Sequence, residues 1–108
     1  MPQRVIATGD IHGCADALYA LLEIVDPKAD DLVVTLGDYV DRGPNTREVI
    51  DQILDLKKRC RLISLVGNHE LMMLDAIASP NSTQFDFWLH CGGEETMVSY
   101  GGVSATIP

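Results

Sequence analysis

Residues 32–44 read LVVTLGDYVDRGP, and the change of character at Gly37 decides how the chain folds. The run LVVTL is short, apolar and rich in β-branched residues, the pattern of a buried strand. Gly37 permits a sharp exit, and charge gathers immediately after it. The same arrangement occurs twice more: residues 4–8 (RVIAT) run into GDIHG at 9–13, and residues 62–66 (LISLV) run into GNHE at 67–70. Three strands, each ending in a glycine and a polar loop, are therefore expected.

Helices fill the intervals. Leu18, Leu21, Leu22 and Val25 fall at i, i+3, i+4 and i+7 and are stopped by Pro27, which predicts a helix with one packed face. Asn45 is placed to cap a second helix, with Glu48 reaching back from three residues later and Ile50, Ile53 and Leu54 as its inner stripe. Lys57, Lys58 and Arg59 suit its C-terminus. A shorter Leu- and Met-rich helix is expected over 70–78, its methionines serving the core, with a break at Ser79, Pro80, Asn81 and Ser82. Strand and helix alternation at this spacing predicts an α/β fold, a βαβαβ parallel sheet with right-handed crossovers. All three loops then open on one edge, outside the carboxyl ends of the strands, where such sheets assemble their chemistry.

Beyond residue 78 the pattern changes. Residues 84–91 hold Phe85, Phe87 and Trp88, and residues 94–100 form a short helix ended by Gly101 and Gly102. We read 1–108 as one domain: three strand–loop–helix units over 1–78, then an aromatic flank or lid over 79–108. The last residues are mildly apolar and uncapped, and three strands leave two free sheet edges. The expectation is an N-terminal portion of a larger fold.

Composition limits the function. The 108 residues are 46% hydrophobic and 22% charged, the range of one globular domain. Eight basic residues against sixteen acidic give a net charge of −8, which disfavours nucleic acid or anionic lipid as a partner. No apolar run has the length of a membrane span and residues 1–4 do not open a signal peptide, so a cytoplasmic location is expected. Cys14, Cys60 and Cys91 show no CxxC spacing; they are read as small buried apolar residues, not disulfides or zinc ligands.

The three loops bring Asp10, His12, Asp38, Asp41, Arg42, Asn68, His69 and Glu70 toward one rim, with carboxylates outnumbering cations. Such crowding is costly without a metal. Carboxylates beside imidazole and amide groups offer hard oxygen and nitrogen donors, suited to Mn, Fe or Zn. A lone Asp after a strand is usually a turn residue and a lone His usually a satisfied polar group. The conjunction of three loops in order is what points to a site.

GDxHG, GDxVDRG and GNHE, unbroken and in order over about the first seventy residues, resemble the signature set of the phosphoprotein phosphatase (serine/threonine phosphatase) branch of the calcineurin-like metallophosphoesterases. The run from Trp88 through Gly92, Gly93 and Thr96 to Gly101 resembles a weaker pattern of bacterial members, with Cys91 where Asn is common. The resemblance implies a two-sheet α/β sandwich, of which this chain supplies half. It also implies two divalent ions about 4 Å apart and a bridging hydroxide. Asp10 and His12 would hold the first ion, Asp38 would bridge both, and Asn68 would hold the second while also meeting substrate. His69 would be the general acid, oriented by Asp41; Arg42 would grip the phosphoryl oxygens and Glu70 would be a structural support. Family members complete the second ion with two histidines from the later half of the fold and commonly add an arginine. This chain has only His12, His69 and His90, and His90 is read as a surface or flank residue.

The leading expectation is thus a metal-dependent phosphomonoesterase acting on phosphoserine or phosphothreonine in proteins, or on a small phosphoester. Symmetrical hydrolysis of diadenosine tetraphosphate, or phosphatase action on nucleic-acid ends, is the rival within the same fold. The dinucleotide branch often carries GNHD and replaces the dyad aspartate, whereas GNHE and Asp41 are present here. An inactive metal-binding or interaction fragment is the alternative of another class. A P-loop or Rossmann nucleotide binder finds neither GxxxxGK[ST] nor GxGxxG.

Overall fold

The structure, a computed structural model, describes residues 3–101. Its elements run β1 (Val5–Thr8), α1 (Ala15–Val25), β2 (Leu32–Thr35), α2 (Thr46–Arg59), β3 (Arg61–Ser64), α3 (Asn68–Ala78), α4 (Thr83–Trp88), a kinked connection over Leu89–Gly93, and α5 (Glu94–Ser99). The strands form one parallel sheet in the order β1-β2-β3, with Val5 opposite Leu32 and Leu32 opposite Arg61. The α/β reading and the parallel sheet are what the structure has. Gly102, expected to help end the last helix, and the tail behind it lie outside the described residues, as do residues 1 and 2. Among the described residues no helix is long and apolar enough to cross a membrane.

Both crossover helices pack on the same side of the sheet. Val33, Leu56 and Cys60 form a core cluster joined by Ile6, Leu22 and Leu62, so α1 and α2 cover the alternate strand residues of one face. The expected burial of the strands is therefore half right. The other face carries Val5, 65% exposed, and Ile63, 48% exposed, because helices joined by right-handed crossovers in a 1-2-3 sheet collect on one side. The strands also stop earlier than their composition suggests: Leu36, Leu65 and Val66 lie beyond the last paired residues and are exposed.

Local departures have similar causes. The buried stripe of α2 is Val49, Ile53 and Leu56, and Leu54 is exposed. The helix is rotated so that Val49 joins Ile11, Leu18, Tyr39 and Val40 in the main cluster. Leu21, expected in the inner stripe of α1, is also exposed. Asn45 sits at the N-cap of α2 but makes no side-chain cap bond. That reach-back bond is instead made in α3, where Glu70 accepts the backbone N–H of Gly67 at 2.8 Å. Met73 packs against the main core and Met72 against the cluster around Trp88, as structural methionines should. Of the cysteines only Cys60 is buried; Cys14 is exposed and Cys91 half-buried, so the expected burial holds for one of the three.

Candidate active site

The site lies where the three loops meet. Gly37 has a φ of +102°, and a Cβ there would strike the backbone of Gly67, so the second and third loops touch main chain to main chain. The first loop is tied in by its amides: Ile11 and His12 donate to the carbonyl of Asp38 at 3.0 and 2.8 Å, and Gly13 donates to that of Tyr39 at 2.8 Å. Glu70 binds the second loop to the third. Its Oε1 accepts from Asp38 at 2.6 Å and Gly67 at 2.8 Å, and its Oε2 from Tyr39 at 2.8 Å and Val40 at 3.3 Å. A carboxylate with four backbone donors is a structural knot.

Five residues carrying reactive side chains occupy left-handed backbone: Asp10 (φ +23°), His12 (+44°), Asp38 (+57°), Asp41 (+77°) and Arg42 (+71°). Left-handed conformation costs a side-chain-bearing residue roughly 1–2 kcal/mol each, and such strain concentrates at working sites held by their surroundings.

Asp10, His12 and Asp38 converge. One ligand atom from each lies within 4.8 Å of the others, and among the described residues this is the group of acidic, His and Cys side chains placed to hold an ion. Neighbouring ligands around an ion with ~2.1 Å bonds stand roughly 3–3.6 Å apart, so the three donors reach a single cation by closing about 1 Å. The donor chemistry fits as well. His12 Nδ1 lies 2.9 Å from the carbonyl oxygen of Val40; a carbonyl can only accept, so Nδ1 carries the proton and Nε2 keeps its lone pair for a metal. One Asp38 oxygen accepts the backbone N–H of His69 at 3.0 Å, fixing the carboxylate at the start of α3.

Beside this group stands a second one. His69 Nδ1 meets Asp41 Oδ2 at 2.8 Å, with His69 8% exposed and Asp41 fully buried. The His69 ring stands edge-on to that of His12, centroids 4.7 Å apart, so the two groups share one rim. Asn68 sits between Gly67 and His69, both of which touch Asp38, and is exposed. Arg42 is exposed, and its guanidinium pairs with no carboxylate among the described residues. His90 is exposed and belongs to neither group.

Sequence reasoning missed what holds Asp41. Trp88 is fully buried and donates from Nε1 to both Asp41 oxygens at 3.0 and 2.8 Å. Thr96 donates to Oδ1 at 2.8 Å. Tyr39 is buried too, bonded to Thr35 and Leu65, whereas Phe87 is largely exposed, at 61%. The signals in sequence were the patterned run from Trp88 to Thr96 and an indole, whose N–H needs a partner when buried; neither points to Asp41 as that partner.

Residues 3–106 match the family model described as calcineurin-like phosphoesterase. The chain belongs to that family. Among its relatives, Serine/threonine-protein phosphatase 1 of Salmonella typhimurium (strain LT2) is 40% identical over 94 residues, covering 85% of this chain and 40% of that protein. A symmetrical bis(5'-nucleosyl)-tetraphosphatase of Klebsiella pneumoniae is 46% identical over 72 residues, covering 65% of this chain and 24% of that protein. A crystal structure of a protein described as a diadenosine tetraphosphatase superposes with a TM-score of 0.61 at 31% identity, over 83% of this chain and 44% of the other. The chain thus spans less than half the length of these calcineurin-like relatives.

Proposed function

We propose that this chain carries the first part of the active site of a metal-dependent phosphomonoester hydrolase acting on phosphoserine or phosphothreonine in proteins. The observation that carries the proposal is one rim holding two groups: the Asp10, His12 and Asp38 donors within 4.8 Å of one another, and the Asp41–His69 pair at 2.8 Å beside them.

In this reading Asp10, His12 and Asp38 would hold a first divalent ion, and Asp38 and Asn68 would contribute to a second. Mn, Fe and Zn are the metals that this donor set suits. Divalent ions bound there supply Lewis-acid charge neutralisation and a deprotonated water at neutral pH. The chain's own residues do the rest. Arg42, without a carboxylate partner among the described residues, forks onto the phosphoryl oxygens and, with Asn68, orients the ester. Asp41 keeps the His69 proton on Nδ1 and the ring in place, so that His69 Nε2 delivers a proton to the leaving oxygen.

The retained dyad supports the phosphatase reading over dinucleotide hydrolysis, as does the extent of the match. Similarity to the Salmonella phosphatase runs over 85% of the chain, and similarity to the Klebsiella tetraphosphatase over 65%. Symmetrical cleavage of a dinucleoside tetraphosphate is the second reading, favoured by the higher identity of that shorter match. Turnover of a phosphoserine peptide and of diadenosine tetraphosphate by the complete gene product with Mn separates the two. Preference for the peptide supports the proposal, preference for the dinucleotide supports the second reading, and turnover of neither overturns both.

A further inference from the structure

Two consecutive residues of the second loop are gripped by a segment far along the chain. Asp41 and Arg42 are both left-handed, with φ of +77° and +71°. The backbone N–H of Asp41 donates to Thr96 Oγ1 at 2.8 Å, and that of Arg42 to the carbonyl of Gly92 at 3.0 Å. Gly92 itself has a φ of +108°, and a Cβ there would lie 2.7 Å from the Arg42 nitrogen. The kink between α4 and α5 therefore approaches the loop as closely as main chain allows.

The hydroxyl of Thr96 is fully used. Its single proton goes to Asp41 Oδ1, so it accepts from the Asp41 amide, and at 3.2 Å the Thr46 hydroxyl is the donor to it. Trp88 Nε1 completes the set. Trp88, Thr46, Thr96 and Asp41 all have no exposed surface. Any buried carboxylate needs donors, but here Thr96 holds Oδ1 at 2.8 Å and Trp88 spans both oxygens, at 3.0 Å to Oδ1 and 2.8 Å to Oδ2, which fixes the carboxylate with Oδ2 2.8 Å from His69 Nδ1.

We propose that Trp88 and Thr96 are positioning residues for leaving-group protonation, acting through Asp41 on His69. The inference rests on the reading of His69 as general acid given above. As the bond from phosphorus to the leaving oxygen breaks, its electron pair stays on that oxygen and takes the His69 Nε2 proton. The imidazole is restored by the proton that the attacking water gives up, so ester and water become alcohol and phosphate with no other reactant.

The test uses the complete gene product loaded with Mn, in the variants Trp88→Phe, Thr96→Val and Thr96→Ser. Two substrates are compared: a phosphoserine peptide, whose alkoxide must be protonated, and p-nitrophenyl phosphate, whose phenolate leaves unaided. Trp88→Phe and Thr96→Val should each lower kcat on the peptide about ten-fold, the loss of one hydrogen bond to a charged group, with little change in KM. The p-nitrophenyl ester should be nearly unaffected, and Thr96→Ser should restore peptide turnover. In a His69→Asn background, Trp88→Phe should have no further effect. Equal losses on both substrates, or an additive loss in that background, would overturn the proposal. Should Trp88→Phe not fold, Thr96→Val and its rescue by Thr96→Ser decide between the same two outcomes. If His69→Asn alone leaves peptide turnover intact, the general-acid reading itself fails, an outcome distinct from failure of the positioning role.

Discussion

Asp31 and Asp41 flank the central strand, one just before β2 and one in the loop beyond it, and both are fully buried. Their partners differ. Asp31 faces a permanent cation: Arg4 Nη2 at 2.7 Å and Nε at 3.2 Å, with the backbone N–H of Lys28 at 2.8 Å. Asp41 faces an imidazole and two neutral donors, Trp88 and Thr96. The Arg4 hydrogen bonds, then that of Lys28, hold the Asp31 carboxyl below its ordinary range against the opposing effect of burial. A buried carboxylate closed by arginine is a latch, because nothing in the pair changes charge near neutrality. One closed by histidine sits next to a proton that can be passed on. The contrast separates a carboxylate that holds the chain together from one that the proposed mechanism places beside the reacting groups.

The largest effect should come from His69→Asn, which removes the transferable proton. Turnover of a phosphoserine peptide is expected to fall on the order of 100-fold or more, while metal content measured by elemental analysis stays at the wild-type level. Metal loss would place His69 among the ligands and erase the distinction between the two groups at the rim. Asp41→Asn should follow closely. The new amide presents N–H groups where Trp88, Thr96 and His69 already donate, so at least one donor is left unpaired in a buried place. A stability loss of roughly 1–3 kcal/mol by denaturant titration should accompany a fall in turnover. Unaltered turnover would make Asp41 a latch like Asp31.

How far this contrast can be seen in sequence depends on the range of the interactions. The sheet was legible because each strand announces itself within five residues, as apolar runs 4–8, 32–36 and 62–66, and each loop follows at once. The convergence of Asp10, His12 and Asp38 follows from parallel strands in register. The helix stripes were less legible. Leu54 and Val49 are both apolar, and only contact with Tyr39 and Val40 decides which is buried. The grip on Asp41 was not legible at all: its donors lie 47 and 55 residues away, on helices whose placement no local pattern fixes.

Arg42→Ala is expected to act on binding and to leave both buried carboxylates as they are. Inhibition by inorganic phosphate should weaken about ten-fold, the contribution of a charge-assisted pair, with the melting temperature little changed. Arg42 is exposed and its backbone bond to Gly92 survives the substitution. An unchanged inhibition constant would mean that the unpaired guanidinium does not face the anion.

Asp31→Asn is the smallest expected effect on activity and the sharpest control. Turnover should be that of the wild type, because Asp31 lies at the opposite end of β2 from the rim. Stability should respond instead, with a defined dependence on pH. A carboxyl whose folded-state pKa is depressed contributes stability that is complete above its unfolded pKa of about 4, and loses it as pH falls through the lower folded value. The direction for Asp31 is downward, set first by the Arg4 hydrogen bond. Melting curves of wild type and variant should therefore be separated at neutral pH and converge as pH falls below about 4, where the unfolded carboxyl is protonated and the native pair follows. A constant gap across that range would show that the variant loses packing or a neutral hydrogen bond and not the ion pair. A gap that closed together with a loss of turnover would show that the two ends of β2 are coupled, and that the latch and the carboxylate that orients His69 are not independent.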